Sequence, residues 1–325
     1  MRKAGVRAGA KSAAWSGIRE RQSGLDDVNR YCHWRSRVLT LGFLVLSLGS
    51  TAATAQERVG VTQITPTVFV FATSGGNVVA SVGPDGALLV GTPSVESTPR
   101  IESFLEQHTK SRVRYVVIYP ENAAQSEGDA GWRKRGAFVV MQEKALERLG
   151  GHKMGKPAPL PQQLLKLGVG RPHVSFSEVI SFDLNGEAIH IVHQKPGYSD
   201  ADAVTHFHVA NVIYLGEAFP GDGYPRIDGA QGGTLPGLLD QLGWTDPKQH
   251  IVPARGKVTN GTSIKAFTEM IVTVRDRVQH LAQEGKTESE VVAAHPAADF
   301  DARWGHGRVA PDDFVREICA AVTKK

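Results

Sequence analysis

From Val59 onward, short runs rich in β-branched residues alternate with amphipathic helical stretches, and this alternation restricts the fold more than any other feature. Val61–Ile64, Val68–Ala72, Val78–Val82 and Ala87–Val90 come first, punctuated by Gly75-Gly76 and Pro84-Asp85-Gly86, which are turn signals. Thr92 to Thr109 then reads as a helix, with Ile101, Phe104 and Leu105 on one face and Ser94 as its cap. Tyr115–Ile118 and Ala137–Met141 read as strands separated by a short helix. Gly150 to Pro172 holds four of the 17 prolines and reads as a surface loop. Ile180–Asn185 and Ala188–His193 flank Asn185-Gly186 and form a hairpin. Ala203–Val209, Val212–Leu215 and Ile251–Val252 read as strands. Leu235–Leu242, Ser263–Glu284 and Pro311–Val322 read as helices. Strands and helices interleave in both halves, which places the chain in the α/β class. No low-complexity linker divides it.

The first 55 residues do not share this pattern. Arg30, Arg35 and Arg37 precede the apolar run VLTLGFLVLSL (38–48), and small residues follow, ending in Ala53-Thr54-Ala55. A basic segment, an apolar segment and an A-x-A-like site read as a secretory signal, with cleavage expected before Gln56. The run falls short of the roughly 20 apolar residues that span a bilayer, so no stable membrane anchor is expected after cleavage. The alternative is an uncleaved N-terminal anchor. The expected organisation is a leader over 1–55 and one domain over 56–325, located in the periplasm or secreted.

Removing the leader changes the charge. Nine of the 37 Lys/Arg and three of the 33 Asp/Glu lie within it, leaving 28 basic residues against 30 acidic ones. The sequence pI of about 9.0 is therefore a property of the leader. No basic stripe remains to neutralise phosphates, so no nucleic-acid partner is expected. Cys32 also leaves with the leader. The remaining Cys319 can form neither an intramolecular disulfide nor a cysteine-based metal site, and is expected to be buried in a helix.

Several segments together resemble the metallo-β-lactamase-fold superfamily, in particular its periplasmic branch. Asn77 to Thr92 (NVVASVGPDGALLVGT) is similar to that family's opening hairpin. Asn185-Gly186-Glu187 through Pro196-Gly197-Tyr198-Ser199-Asp200 resembles the segment around its PGHTD motif. Asn211 to Glu217 (NVIYLGE) resembles the strand carrying its bridging aspartate, and Pro253-Ala254-Arg255-Gly256 its PGHG. Tyr224-Pro225 to Asp228, Gly232-Gly233 and Arg303 to Val315 extend the likeness to most of Val59–Val322. The resemblance implies a four-layer αββα sandwich.

It also implies zinc, which the family holds through H-x-H-x-D-H and two further His and an Asp. Zinc takes three or four N, O or S ligands and lowers the pKa of a bound water to about 7. In this chain Pro120, Asn122, Ala124 and Gln125 fall at the first four places, Tyr198 and Arg255 at the two later His positions, and Glu217 at the Asp. Of these, only Glu217 ligates a metal well, because an arginine has no free lone pair. No zinc or other cofactor is therefore expected. His206 and His208 project from one face of a strand, with His193 on a neighbouring one, and read as ordinary strand histidines. Ser126 and Ser199 lie outside any G-x-S-x-G elbow, and no phosphate-binding glycine motif follows a strand.

Three functions stay open. In the first, the cleft has become a binding site for a small molecule or a periplasmic protein, lined by Asn122, Gln125, Tyr198, Asp200, Glu217 and Arg255. In the second, it runs a metal-free or relocated hydrolysis, with Glu217 as general base and Arg255 as electrostatic stabiliser. In the third, the cleft does no chemistry.

Overall fold

The computed structural model describes residues 58–91, 93–110, 112–119, 127–150, 152–153, 156–157, 162, 165 and 171–323. The leader, with Cys32 and the expected cleavage site at Gln56, lies outside the described residues, as do Pro120, Asn122, Ala124, Gln125 and Ser126. Residues 53–325 group as one compact unit.

Two sheets make the framework. The first contains β1 (Gly60–Gln63), β2 (Val68–Thr73), β3 (Gly76–Gly83), β4 (Gly86–Val90), β5 (Val113–Ile118) and β6 (Phe138–Gln142). A two-residue ladder follows, β7 (His152–Lys153) with β8 (Lys156–Pro157), and then β9 (Val174–Phe176), which closes the first sheet beside β6. β1 to β4 pair antiparallel, whereas β4, β5, β6 and β9 run parallel. The second sheet orders β10 (Val179–Leu184), β11 (Glu187–His193), β12 (Ala203–Phe207), β13 (Val212–Gly216), β14 (His250–Pro253) and β15 (Thr259–Asn260), and only its β13–β14 pair is parallel.

The period of two along each strand sorts side chains into layers. On β2, Val68 and Val70 face the second sheet and join Val79, Leu88, Val117, Ile189, Phe207 and Val252 in a central apolar layer. Phe69 and Phe71 face the other way, onto α1 (Thr98–Thr109), where both rings meet Phe104 edge-on. With α2 (Glu127–Lys134) and α3 (Glu143–Arg148), α1 covers the outer face of the first sheet. α4 (Leu235–Leu242), α5 (Gly261–Gln283), α6 (Glu288–Ala293), α7 (Ala298–Trp304) and α8 (Pro311–Thr323) complete the helices, and their buried side chains pack on the outer face of the second sheet. Helices, sheet, sheet, helices: the expected αββα sandwich is what forms. On α5 the buried positions Ile264, Phe267, Ile271, Val274 and Val278 keep the helical spacing, each contributing about 1.5–3 kcal/mol. Cys319 is buried in α8. No helix among the described residues is long and apolar enough to cross a membrane.

Of the boundaries that differ from those read off the sequence, three have a visible local cause. α1 begins at Thr98 rather than Thr92, because Pro99 lacks an N–H and fits only the first turn. Ser94 instead organises the turn before it: its Oγ accepts from the Ser97 N–H at 3.1 Å. β12 stops at Phe207 rather than Val209, because the N–H groups of Val209 and Ala210 turn to the buried Glu187 carboxylate at 2.6 and 2.9 Å. α5 starts two residues earlier than Ser263, capped by the Asn260 side chain on the Thr262 N–H.

Candidate functional site

β13 and β14 lie side by side and parallel, so the residues just past their C-terminal ends emerge at the same edge of the sheet. Ligands of open α/β sheets characteristically bind at such edges. Glu217 follows Gly216 at the end of β13, in a turn closed by Phe219 N–H on Gly216 O at 3.2 Å. Arg255 follows Pro253 at the end of β14, its N–H donating to Pro220 O at 3.1 Å. The two chain segments touch at Gly221, where a Cβ would come within 2.2 Å of Arg255 O, so no side chain fits.

Arg255 Nη1 donates to Glu217 Oε1 at 2.7 Å, and each side chain is 18% exposed. Arg308, beyond α7, reaches the same carboxylate and donates from Nη2 to Oε2 at 2.6 Å. Arg255 Nη2 also donates to Gly75 O at 3.3 Å, in the β2–β3 turn. That turn is stitched in place by Asn77, whose side chain donates to Pro253 O and Gly256 O, both at 3.0 Å. Gly76, at a φ of 128°, stands where a Cβ would meet Ala254 O at 2.8 Å. The first sheet is thereby fastened to the end of β14.

Beside this cluster is a small cavity of about 50 Å³, lined among others by Tyr119, Arg148, Tyr198, Asp202 and Glu217. Drug-sized ligands occupy roughly 300–1,000 Å³, so this space suits a few waters at most. Burial pushes the Tyr119 hydroxyl above its usual range, and Thr205 hydrogen-bonds it at 2.9 Å.

The wall of that cavity is organised by a residue the sequence did not single out. Asp202 accepts from the backbone N–H groups of Gly197, Tyr198 and Ser199 at 3.0, 2.7 and 2.9 Å. The Ser199 hydroxyl and Gln241 Nε2 donate to it as well, at 2.9 and 2.8 Å. Burial pushes its carboxyl above the ordinary range, and the donors pull the other way. Asp200, two residues earlier, does not line the cavity. Its Oδ1 pairs with Arg148 Nη2 at 2.7 Å, while Arg148 Nη1 donates to Gln231 Oε1 at 2.5 Å. Ser199 is buried, and its hydroxyl is fixed by donating to Asp202 Oδ1 and accepting from Arg148 Nη2, with no histidine among its hydrogen-bond partners in the described residues.

The structure thus brings Tyr198, Glu217 and Arg255 to one place, sets Asp200 apart, and leaves Asn122 and Gln125 outside the described residues. Arg308 lies in the Arg303–Val315 stretch that extends the resemblance, but nothing in that stretch marks it as a site residue.

Zinc does not fit the donors present at the described positions. Both Glu217 oxygens are engaged by guanidinium groups, and Arg255 carries a fixed positive charge with no lone pair to offer. Among the described residues no three His, Cys, Asp or Glu side chains form a group that could hold a metal ion.

His193 lies on the strand beside the one carrying His206, as expected. His190, not His193, stands opposite His206 on the adjoining strand, and its Nδ1 lies 3.1 Å from His208 Nε2. His193 Nδ1 bonds Asp202 O at 2.9 Å. Burial, with His208 and His190 adding to it, pushes His206 down to about 4. It is neutral at pH 7, against Trp244.

No family model matches the chain, and no curated protein is similar to it in sequence. Solved structures are similar. A metallo-β-lactamase from Pontibacter korlensis superposes with a TM-score of 0.51 at 15% identity, covering 65% of this chain and 99% of that one. The metallo-β-lactamase IND-7 gives 0.51 at 15%, covering 66% and 97%. The stereoselective inverting sec-alkylsulfatase Pisa1 from Pseudomonas sp. gives 0.59 at 13%, covering 82% of this chain and 50% of that one.

Proposed function

Taking the metallo-β-lactamase fold of this chain as the premise, we propose that it is a secreted, non-catalytic relative of the fold's hydrolases that binds a small molecule or a periplasmic protein. In this reading an ion cluster of Glu217, Arg255 and Arg308 has taken the place of the zinc centre. The observation that carries it is the engagement of both Glu217 oxygens, at 2.7 and 2.6 Å, by guanidinium groups. A lone carboxylate or guanidinium so placed would cost several kcal/mol, and pairing offsets much of this. The planar fork of arginine suits a carboxylate partner in a way that a lysine would not. The same two bonds oppose a metal-free hydrolysis, since Glu217 would have to break one to take a proton from water. The basic–apolar–small order of the leader supports export.

The test is metal analysis of purified mature protein, followed by a nitrocefin and phosphodiester screen and thermal melts with and without excess Zn²⁺. No stoichiometric metal, no turnover above background and no shift in melting temperature are expected, since mass-action stabilisation needs a folded-state site. A saturable Zn²⁺ shift that Glu217→Ala abolishes overturns the reading, as does turnover that survives repurification.

A further inference from the structure

A larger cavity lies away from the one beside Glu217. A groove of about 730 Å³ runs between the Gly229–Pro236 segment and the outward side of α8, and it shares no lining residue with the smaller cavity. Its size falls in the range that takes a small organic ligand. Ile227, Leu235, Pro236, Ala320 and Ala321 give it an apolar floor and side.

The polar groups in the groove are few and mostly of one sign. Glu317 and Glu288 are carboxylates, and the one lining cation, Arg316, is already engaged by Asp313 at 2.8 Å. Arg226, nearby, is engaged by Asp228 at 3.4 Å. Glu317 is half-buried and receives the Ile227 N–H on Oε2 at 2.6 Å. Its Oε1 has no hydrogen-bond partner among the described residues. Burial pushes this carboxyl up to about 7, and the charges of Asp228 and Asp313 add to the effect against Arg226. A half-buried carboxylate with one oxygen open to an apolar groove is a site that an arriving cation stabilises.

We propose that this groove binds a small amphipathic amine, with its ammonium on Glu317 Oε1 and its hydrocarbon part along Leu235, Pro236 and Ala320. Glu288 supplies the second negative charge at the rim. The proposal goes beyond the reading of the Glu217 cluster and does not depend on it, since the two places share no side chain.

The experiment is calorimetric titration of the mature protein at pH 8 with n-hexylamine, 1-hexanol and hexanoate. The variants are Glu317→Gln, which keeps an acceptor for the Ile227 N–H, and Ala320→Trp, an exposed position where an indole fills the groove. Saturable hexylamine binding is expected, weakened about tenfold or more by Glu317→Gln, as loss of a charge-assisted bond implies. Ala320→Trp should abolish it, and hexanol should bind more weakly than the amine. No saturable amine binding to the wild type overturns the proposal, and so does hexanoate binding as well as the amine. If Glu317→Gln does not fold, as judged by circular dichroism, unchanged amine affinity in Ala320→Trp overturns it as well. No metal enters any arm, so the outcome is independent of the zinc experiment.

Discussion

Arg255 Nη1 lies 2.7 Å from Glu217 Oε1, a contact between two residues 38 positions apart that parallel pairing of β13 and β14 brings to the same edge. Each also reaches beyond the pair: Glu217 to Arg308, and Arg255 to the carbonyl of Gly75. The cluster joins four remote parts of the chain.

Its energetics follow from which charge is left behind. Arg255→Ala removes one of the two guanidinium groups on a mostly buried carboxylate, and should cost about 1–3 kcal/mol in urea unfolding. Adding Glu217→Gln should recover part of that loss, because it removes the charge that has lost a partner. Equal and additive losses from the two single changes would show that the pair is not coupled. Arg308→Ala, at a side chain 52% exposed, should cost no more than about 1 kcal/mol.

Asp202 should matter more than any residue of the ion cluster. Asp202→Ala leaves three backbone N–H groups of the 197–199 segment without their acceptor, each worth about 1–3 kcal/mol when buried, so a loss on the order of 4 kcal/mol is expected. Hydrogen exchange at Tyr198 and Ser199 should rise in step. Unchanged protection there would mean that the segment is held by other contacts.

Acid should weaken the fold through His206. Its folded-state pKa of about 4 lies below the ordinary value of 6.5, so the unfolded chain takes up a proton first as pH falls. Stability is unaffected above about 6.5, declines between 6.5 and 4, and levels off below. Discounted for partial exposure of the ring, the decline attributable to this residue is about 1–2 kcal/mol. His206→Phe, which keeps the ring beside Trp244, should flatten that part of the curve. A wild-type profile matching the variant's would remove His206 as the cause.

Export can be read directly. Mass spectrometry of protein recovered from the periplasm should place the N-terminus at Gln56 or within a few residues of it. Intact leader in the membrane pellet would favour the uncleaved anchor.

Much of the fold was legible because its signals are local. The alternation of Val68, Val70 and Phe69, Phe71, the Asn185-Gly186 turn and the 3.6-residue spacing of α5 each report their own structure. That Glu217 and Arg255 lie in one cleft was legible too, through the resemblance. Arg308 was not, since nothing near it in sequence indicates that it folds back onto β13. Nor was Asp202, which composition cannot distinguish from Asp200; only the backbone path of 197–199 decides which carboxylate is enclosed. The partner of His206 depends on strand register, and a shift of three residues along β11 separates His190 from His193.

The Asn77 stitch has a consequence for how the chain reaches this structure. Its side chain closes on Pro253 and Gly256 across 176 and 179 residues, so the bonds that fasten the first sheet to β14 form only after both sheets have been made as far as β14. Closing such long loops is slow, because their entropic cost falls before the contacts reward it. A nascent chain ending before β14 would hold the β2–β3 turn unfastened and the central apolar layer short of Val252. A chain that stops short of β14 therefore cannot fasten its two sheets at this edge.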